Sequence, residues 1–247
     1  MFFKQESLIF FPNKLEAGYT FRFANPFHEL TIKVGDNVNL NGLLFEADSS
    51  KGLVFYLHGN AGALDSWGWA YQNYVAFNYD FFILDYRGYG KSDGAIDSEE
   101  QFLTDIQIVY DHLKKDYDET KIIIAGYSLG TCAAAKLASE NNPALLILQA
   151  PYYSFIDLKD EHYPILPDFI VRYKFETYKY LEKTKTTVYI FHGDADEVIP
   201  YKSSLKLQKH LKPGDQLITL PGQSHNGINE NPVFHKELQK ILQNKGD

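Results

Sequence analysis

The chain of 247 residues contains a single cysteine, Cys132, which excludes an internal disulfide, and no Cys/His grouping has zinc-ligand spacing. Nothing in it calls for a metal or another cofactor. Lys and Arg are scattered and the formal net charge is -8, so no basic stripe is available to track phosphates and nucleic acid is not an expected partner. Long apolar runs are missing as well: the stretch from Leu8 to Phe11 is shorter than a signal-peptide core, and nothing later reaches membrane-spanning length. As written, the chain is expected to be cytoplasmic. It also lacks internal repeats and low-complexity tracts, and its length suits one α/β domain better than two.

Aromatic residues, by contrast, are plentiful. They make up 15% of the chain, nearly all Tyr and Phe, and must fill a core, a pocket or a lid. Residues 1–27 mix aromatics with Pro12, Asn13, Gly18, Asn25 and Pro26, which reads as an irregular arm packed on the body of the protein. Leu30, Ile32 and Val34 alternate with polar residues, Gly35-Asp36-Asn37 turns, and Leu40 to Phe45 resumes, predicting an antiparallel hairpin. From Leu53 onward, apolar strand runs at 53–57, 81–85, 122–125, 145–148, 188–191 and 217–220 alternate with helical stretches near 65–77, 99–115, 129–140, 154–182, 203–211 and 231–243. That alternation predicts a mostly parallel sheet with helices on both faces and ligands beyond the carboxyl ends of the strands.

The stretch with the clearest chemistry is Lys121 to Cys132. Ile122, Ile123 and Ile124 form a β-branched run, and a helix-favouring segment begins just beyond Gly126-Tyr127-Ser128-Leu129-Gly130. A strand turning this sharply into a helix pushes Ser128 out at its tip, and the two glycines are required where a Cβ would strike a neighbouring strand or helix. A serine hydroxyl needs a base to act as a nucleophile. Of the eight histidines, His225 is the candidate, because it lies in a polar loop just past the last strand, whereas His28, His112, His162, His210 and His235 read as surface or packing residues. For the acid that orients it, Asp194, Asp196 and Glu197 compete after the strand at 188–191. Asp196 is favoured because a side chain three residues past Gly193 can turn back to the sheet; Asp194 is expected to cap the turn and Glu197 to face solvent.

An acyl-transfer site also needs N–H donors for an oxyanion. The Leu129 N–H opens the helix, and the loop His58-Gly59-Asn60-Ala61-Gly62 supplies a second donor, assigned to Asn60 with Ala61 as runner-up. Asp85 and Arg87 are expected to hold together the loop Asp85 to Ser92 beneath the site. Cys132, one helical turn past Ser128, reads as core packing, with sensitivity of activity to alkylation as the functional alternative.

These motifs together resemble the α/β-hydrolase superfamily, and more narrowly the small serine hydrolases with the His-Gly-Asn-Ala-Gly signature, which include protein depalmitoylases and many bacterial hydrolases. The likeness spans about residues 30 to 243. It implies an α/β fold with an eight-stranded, mostly parallel sheet whose second strand is antiparallel, and hydrolysis of acyl esters or thioesters. It also implies Ser128, Asp196 and His225 as the triad, in the chain order usual for this fold, with Asn60 and Leu129 as oxyanion donors. Residues 151–187 occupy the usual place of a cap, too short for a large one. Tyr152, Tyr153 and Phe155 there are the candidates to line the substrate site, and an open cap suits short or medium acyl chains or aryl esters of small molecules. Thioesterase, lysophospholipase or peptidase activity would use the same triad, and so would acyl transfer or perhydrolysis. Dehalogenase and epoxide-hydrolase chemistry is disfavoured because those relatives carry Asp at the position of Ser128. A catalytically silent binding protein is the alternative of another class.

Overall fold

The computed structural model describes residues 5–244. Residues 1–4 of the expected arm lie outside that range. Eight strands form one sheet: β1 (His28–Gly35), β2 (Val38–Phe45), β3 (Leu53–Leu57), β4 (Asp80–Leu84), β5 (Ile122–Tyr127), β6 (Leu145–Gln149), β7 (Val188–Gly193) and β8 (Gln216–Leu220). Their order is β1-β2-β4-β3-β5-β6-β7-β8. β2 runs antiparallel to both β1 and β4, and every pairing from β4 to β8 is parallel. The fold class and sheet expected from sequence are thus borne out.

The central strands are uninterrupted apolar runs because successive side chains serve opposite layers. Leu53, Phe55 and Leu57 of β3, with Ile122 and Ile124 of β5, pack into one core, while Val54, Tyr56, Ile123 and Ala125 pack into the other. The helices are α1 (Glu6–Ile9), α2 (Leu64–Trp67), α3 (Gln72–Val75), α4 (Glu99–Leu113), α5 (Gly130–Glu140), α6 (Phe155–His162), α7 (Thr177–Leu181), α8 (Lys202–Leu207) and α9 (Pro232–Asn244). The first layer takes α4, α5, α7 and α8; the second takes α3 and α9, together with Phe21 and its neighbours in the arm. Ser98 caps α4, its hydroxyl accepting from the Gln101 N–H.

Three expected helical stretches are interrupted, 203–211 among them, where α8 passes into a 3-10 turn at Gln208–His210. The stretch 65–77 divides into α2, a 3-10 turn at Gly68–Tyr71, and α3. Residues 154–182 divide into α6, a 3-10 turn at Asp168–Ile170, and α7, because Pro164 and Pro167 interrupt the backbone ladder between them. Residues 5–27 are more than packing: α1 and the chain after it cross the carboxyl end of the sheet, bridging Pro12 to Gly62 and Lys14 to Gly90.

The turn from β5 into α5 is where the packing tolerates least. A Cβ on Gly130 would lie 2.1 Å from the Leu57 carbonyl oxygen, and one on Gly126 would lie 2.6 Å from the Gly130 oxygen. Both clashes are with backbone, which cannot rotate aside. Gly130→Ala is expected to cost about 1–3 kcal/mol, the range for overpacking. Urea unfolding checks this, and a midpoint equal to wild type would contradict it.

Candidate active site

Ser128 has φ of +49° and closes the β5–α5 turn. A non-glycine residue there is strained and is held by its surroundings. Its N–H donates to the Gln149 carbonyl at 2.9 Å, and its own carbonyl accepts from the Thr131 N–H at 3.0 Å. The hydroxyl is consequently fixed above the end of the sheet.

The loop after β8 brings His225 to it, with Nε2 at 3.1 Å from Ser128 Oγ. The other ring nitrogen, Nδ1, lies 2.8 Å from Asp196 Oδ2. The imidazole backbone is pinned as well: Tyr127 donates its hydroxyl to the His225 carbonyl at 2.5 Å. Of the competing carboxylates, Asp194 instead accepts from the Gly222 N–H at 2.6 Å, as a cap, and exposed Glu197 lies 3.4 Å from the His225 N–H.

Asp196 accepts from more than His225. Its Oδ1 takes the N–H groups of Val198 at 2.9 Å and Ile199 at 2.8 Å. His192 Nε2 reaches Oδ2 at 3.2 Å and the Ile199 carbonyl at 2.9 Å, while its Nδ1 lies 2.6 Å from the Ser204 hydroxyl. Nε2 must carry the proton, since a carbonyl only accepts, and Nδ1 in the neutral ring then accepts from Ser204. Burial alone would raise the Asp196 carboxyl. The hydrogen bonds from His192 and His225, the charge His225 can carry and the Ile199 N–H outweigh it and hold the group well below the usual carboxylate range. His192 and Tyr127 were missed as site residues by sequence reasoning; the signal for His192 was its place four residues before Asp196, at the end of β7.

The residues expected to supply the oxyanion donors line the same cavity as Ser128. Leu129 precedes α5, and Asn60 lies in the loop after β3; among the described residues, neither N–H has a protein acceptor. The Asn60 side chain holds the arm in place: its Oδ1 accepts from the Phe11 N–H at 3.1 Å and the Tyr89 hydroxyl at 2.9 Å, and its Nδ2 donates to the Ile9 carbonyl. Behind the loop, His58 and Asp85 are wholly buried, with Nε2 and Oδ1 3.6 Å apart, an ion-pair separation too long for a hydrogen bond. Burial raises the Asp85 carboxyl, partly offset by His58.

Asp85 and Arg87 do not pair with each other. Arg87 instead forms a bidentate pair with Asp105 of α4, at 2.5 and 2.8 Å, and Tyr89 donates to Asn60, so the loop is tied to both a helix and the loop carrying Asn60. Cys132 is completely buried and burial pushes its thiol up, so the alkylation sensitivity considered for it has no physical basis.

These groups share a cavity of about 660 Å3, lined by Asn60, Trp67, Tyr127, Ser128, Tyr152 and His225 among others. This is the size of ordinary small-molecule sites. Of the three aromatic candidates, Phe155 lines it directly and Tyr152 borders it, donating to the Leu129 carbonyl at 3.2 Å. Tyr153 does not: its ring stacks on Tyr178 at 4.4 Å and packs against His210, because consecutive side chains on this extended segment point to opposite sides. No helix among the described residues is long and apolar enough to cross a membrane.

A family profile described as "Serine aminopeptidase, S33" matches residues 48–159. An uncharacterized protein of Mycobacterium tuberculosis is 26% identical over 230 residues, covering 90% of this chain and 81% of that protein. Alpha/beta hydrolase domain-containing protein 17C of Xenopus tropicalis is 30% identical over 202 residues, 78% of this chain and 62% of the relative. Among solved structures, an esterase of Pyrococcus furiosus superposes with a TM-score of 0.71 at 18% identity, over 95% of this chain and 96% of the other. These comparisons make the chain similar in fold to esterases and similar in part of its sequence to α/β hydrolases.

The lowered Asp196 carboxyl has a consequence for stability. A folded-state value below the unfolded one, about 3.9, contributes stability that is present above that value and lost as pH falls through the folded value. The gap in urea midpoint between wild type and Asp196→Asn is therefore expected to be widest near neutral pH and to narrow in acid. A gap that stays constant down to about pH 2 would refute the assignment of that charge.

Proposed function

We propose that the protein is a serine hydrolase that cleaves carboxylic esters or thioesters through an acyl-enzyme. The observation that carries this reading is the hydrogen-bonded line from Ser128 Oγ to His225 Nε2, 3.1 Å, and from His225 Nδ1 to Asp196 Oδ2, 2.8 Å. In that arrangement Ser128 attacks the carbonyl carbon while His225 Nε2 takes its proton. Negative charge develops on the carbonyl oxygen, and the N–H groups of Asn60 and Leu129 would receive it. His225 then returns the proton to the leaving oxygen or sulfur. Water repeats the sequence on the acyl-enzyme and releases the acid. Asp196, kept ionised, holds the Nδ1–H tautomer and stabilises the imidazolium.

The chain is read as one α/β-hydrolase domain, with residues 1–27 as an arm and 151–187 as a short cap. The site cavity by itself suits a short or medium acyl group or an aryl ester, and resemblance in fold to an esterase supports the ester class. Peptide amides are a second reading, favoured by the description of the matching family as an aminopeptidase. A free α-amino group would need a carboxylate partner, and exposed Glu230 is the acidic residue lining the cavity.

Labelling with a fluorophosphonate, read by intact mass, tests the nucleophile, beside turnover of p-nitrophenyl esters and aminoacyl-p-nitroanilides. One adduct is expected in wild type and none in Ser128→Ala, whose kcat should fall by about 10⁶-fold. Asp196→Asn should lower kcat by about 10⁴-fold through the wrong tautomer. Faster turnover of the anilides would favour the peptidase reading. Absence of both adduct and turnover would leave a catalytically silent binding protein.

A further inference from the structure

The cavity around Ser128 holds one carboxylate, and nothing described so far in the hydrolytic steps uses it. Among the described residues that line it, none is Lys or Arg, and Glu230 alone carries a formal negative charge. Glu230 ends the 3-10 turn Ile228–Glu230, in the loop that carries His225. Its carboxylate has no hydrogen-bond or ion-pair partner among the described residues. The neighbouring Asn229 amide is already used: Oδ1 accepts from Gln149 at 2.9 Å, and Nδ2 donates to the Tyr56 hydroxyl at 3.2 Å.

The same cavity contains both tryptophans of the chain. Trp69 is 45% exposed, although its ring packs on Phe23 at 5.1 Å. Trp67 is fixed by its Nε1, which donates to the Ala61 carbonyl at 2.6 Å, and its ring meets Tyr127 at 5.1 Å. Burial raises the Tyr127 hydroxyl, and the charges of Asp196 and Glu230 add to that rise, so the field of Glu230 reaches this ring. A carboxylate without a counter-ion and two indoles in one cavity suit an alkylammonium group, which gains from both. A phosphate or carboxylate would be repelled.

We infer that Glu230, with Trp67 and Trp69, receives the leaving half of the substrate, and that this half is an alcohol or thiol bearing an alkylammonium group. The inference rests on the hydrolase reading of Ser128. The leaving half is assigned because the leaving atom must sit at His225 Nε2 to receive its proton, and the chain that follows His225 brings Glu230 into the same cavity. Phe155 and Leu158 of α6 remain as apolar wall for the acyl half. Under the peptide reading Glu230 would instead hold an α-amino group of the acyl half. Thioesters of phosphate-bearing thiols are disfavoured by the same charge.

The test uses two phosphorothiolates that place the same diethylphosphoryl group on serine and carry no acyl half. One releases 2-(trimethylammonio)ethanethiol and the other its uncharged isostere 3,3-dimethylbutanethiol. Ser128 Oγ forms the new P–O bond, the P–S bond breaks, and the departing sulfur takes the proton from His225. Intact mass follows the rates in wild type, Glu230→Gln and Glu230→Lys, each divided by the agent's rate with hydroxide. Thermal unfolding checks that the variants fold, and a fluorophosphonate serves as reference. Wild type should favour the cationic agent by about fivefold or more. Glu230→Gln should lower that ratio by about threefold, and Glu230→Lys should bring it to about one or below. Glu230 is exposed, so added salt should lower the wild-type ratio as well. A wild-type ratio of one, a ratio unmoved in folded Glu230→Gln, or labelling by the fluorophosphonate alone overturns the subsite while leaving the hydrolase reading intact. No adduct from any of the three reagents overturns the hydrolase reading and the subsite with it.

Discussion

The contact on which the site depends is the approach of the β5–α5 turn to the end of β3. Gly130 sits where even a methyl group would meet the Leu57 carbonyl, and Ser128 takes a positive φ of 49° to make that approach possible. The strain costs on the order of 1–3 kcal/mol and persists because two fully buried strands over-determine the turn. Once the turn is made, three placements follow from backbone alone. Ser128 stands clear of the sheet, Leu129 offers its N–H at the start of α5, and the loop carrying Asn60 leaves the adjacent strand beside them.

A second constraint is electrostatic. Asp196 is a carboxylate with a wholly buried side chain, which would ordinarily favour the neutral acid. Four protein groups donate to it, and that satisfaction keeps it charged. The arrangement also fixes His225, since a carboxylate already held by Val198, Ile199 and His192 cannot swing to another partner. His192 is in turn locked by Ser204 and the Ile199 carbonyl, so the orientation of the imidazole at Ser128 is set two residues away from it.

What the sequence disclosed was the part governed by short-range geometry. Gly126 and Gly130 announce a turn with no room for a Cβ and Ser128 at its tip, and the Asn60 loop and Asp196 each lie within a few residues of a strand end, so the sheet carries them to one edge. What stayed hidden depended on side chains far apart in the chain. Arg87 pairs with Asp105 rather than its near neighbour Asp85, and Tyr153 turns to Tyr178 rather than to the cavity. Neither choice has a local pattern. The break of residues 154–182 is legible in Pro164 and Pro167, which cannot continue a helix ladder. The His192 contact has a four-residue signature that only a known strand end makes readable.

The arm follows from the same logic of long-range contacts. Residues 5–14 have little apolar periodicity, yet they are bound at both ends: Glu6 pairs with Arg172 at 2.8 Å and accepts from Tyr173, and Lys14 donates to the Ser92 carbonyl at 2.7 Å. Between those anchors, Ile9 and Phe11 bond to the side chain of Asn60, which lines the same cavity as Ser128. An irregular segment satisfied in this way has no reason to form a longer helix or strand, because its polar groups already have partners. Its anchors reach both the loop beneath the site and residues 168–173, so it links those two regions across the loop carrying Asn60. Ordering the arm and ordering the Asn60 loop are therefore one event, and the conformational entropy lost in fixing either is lost for both.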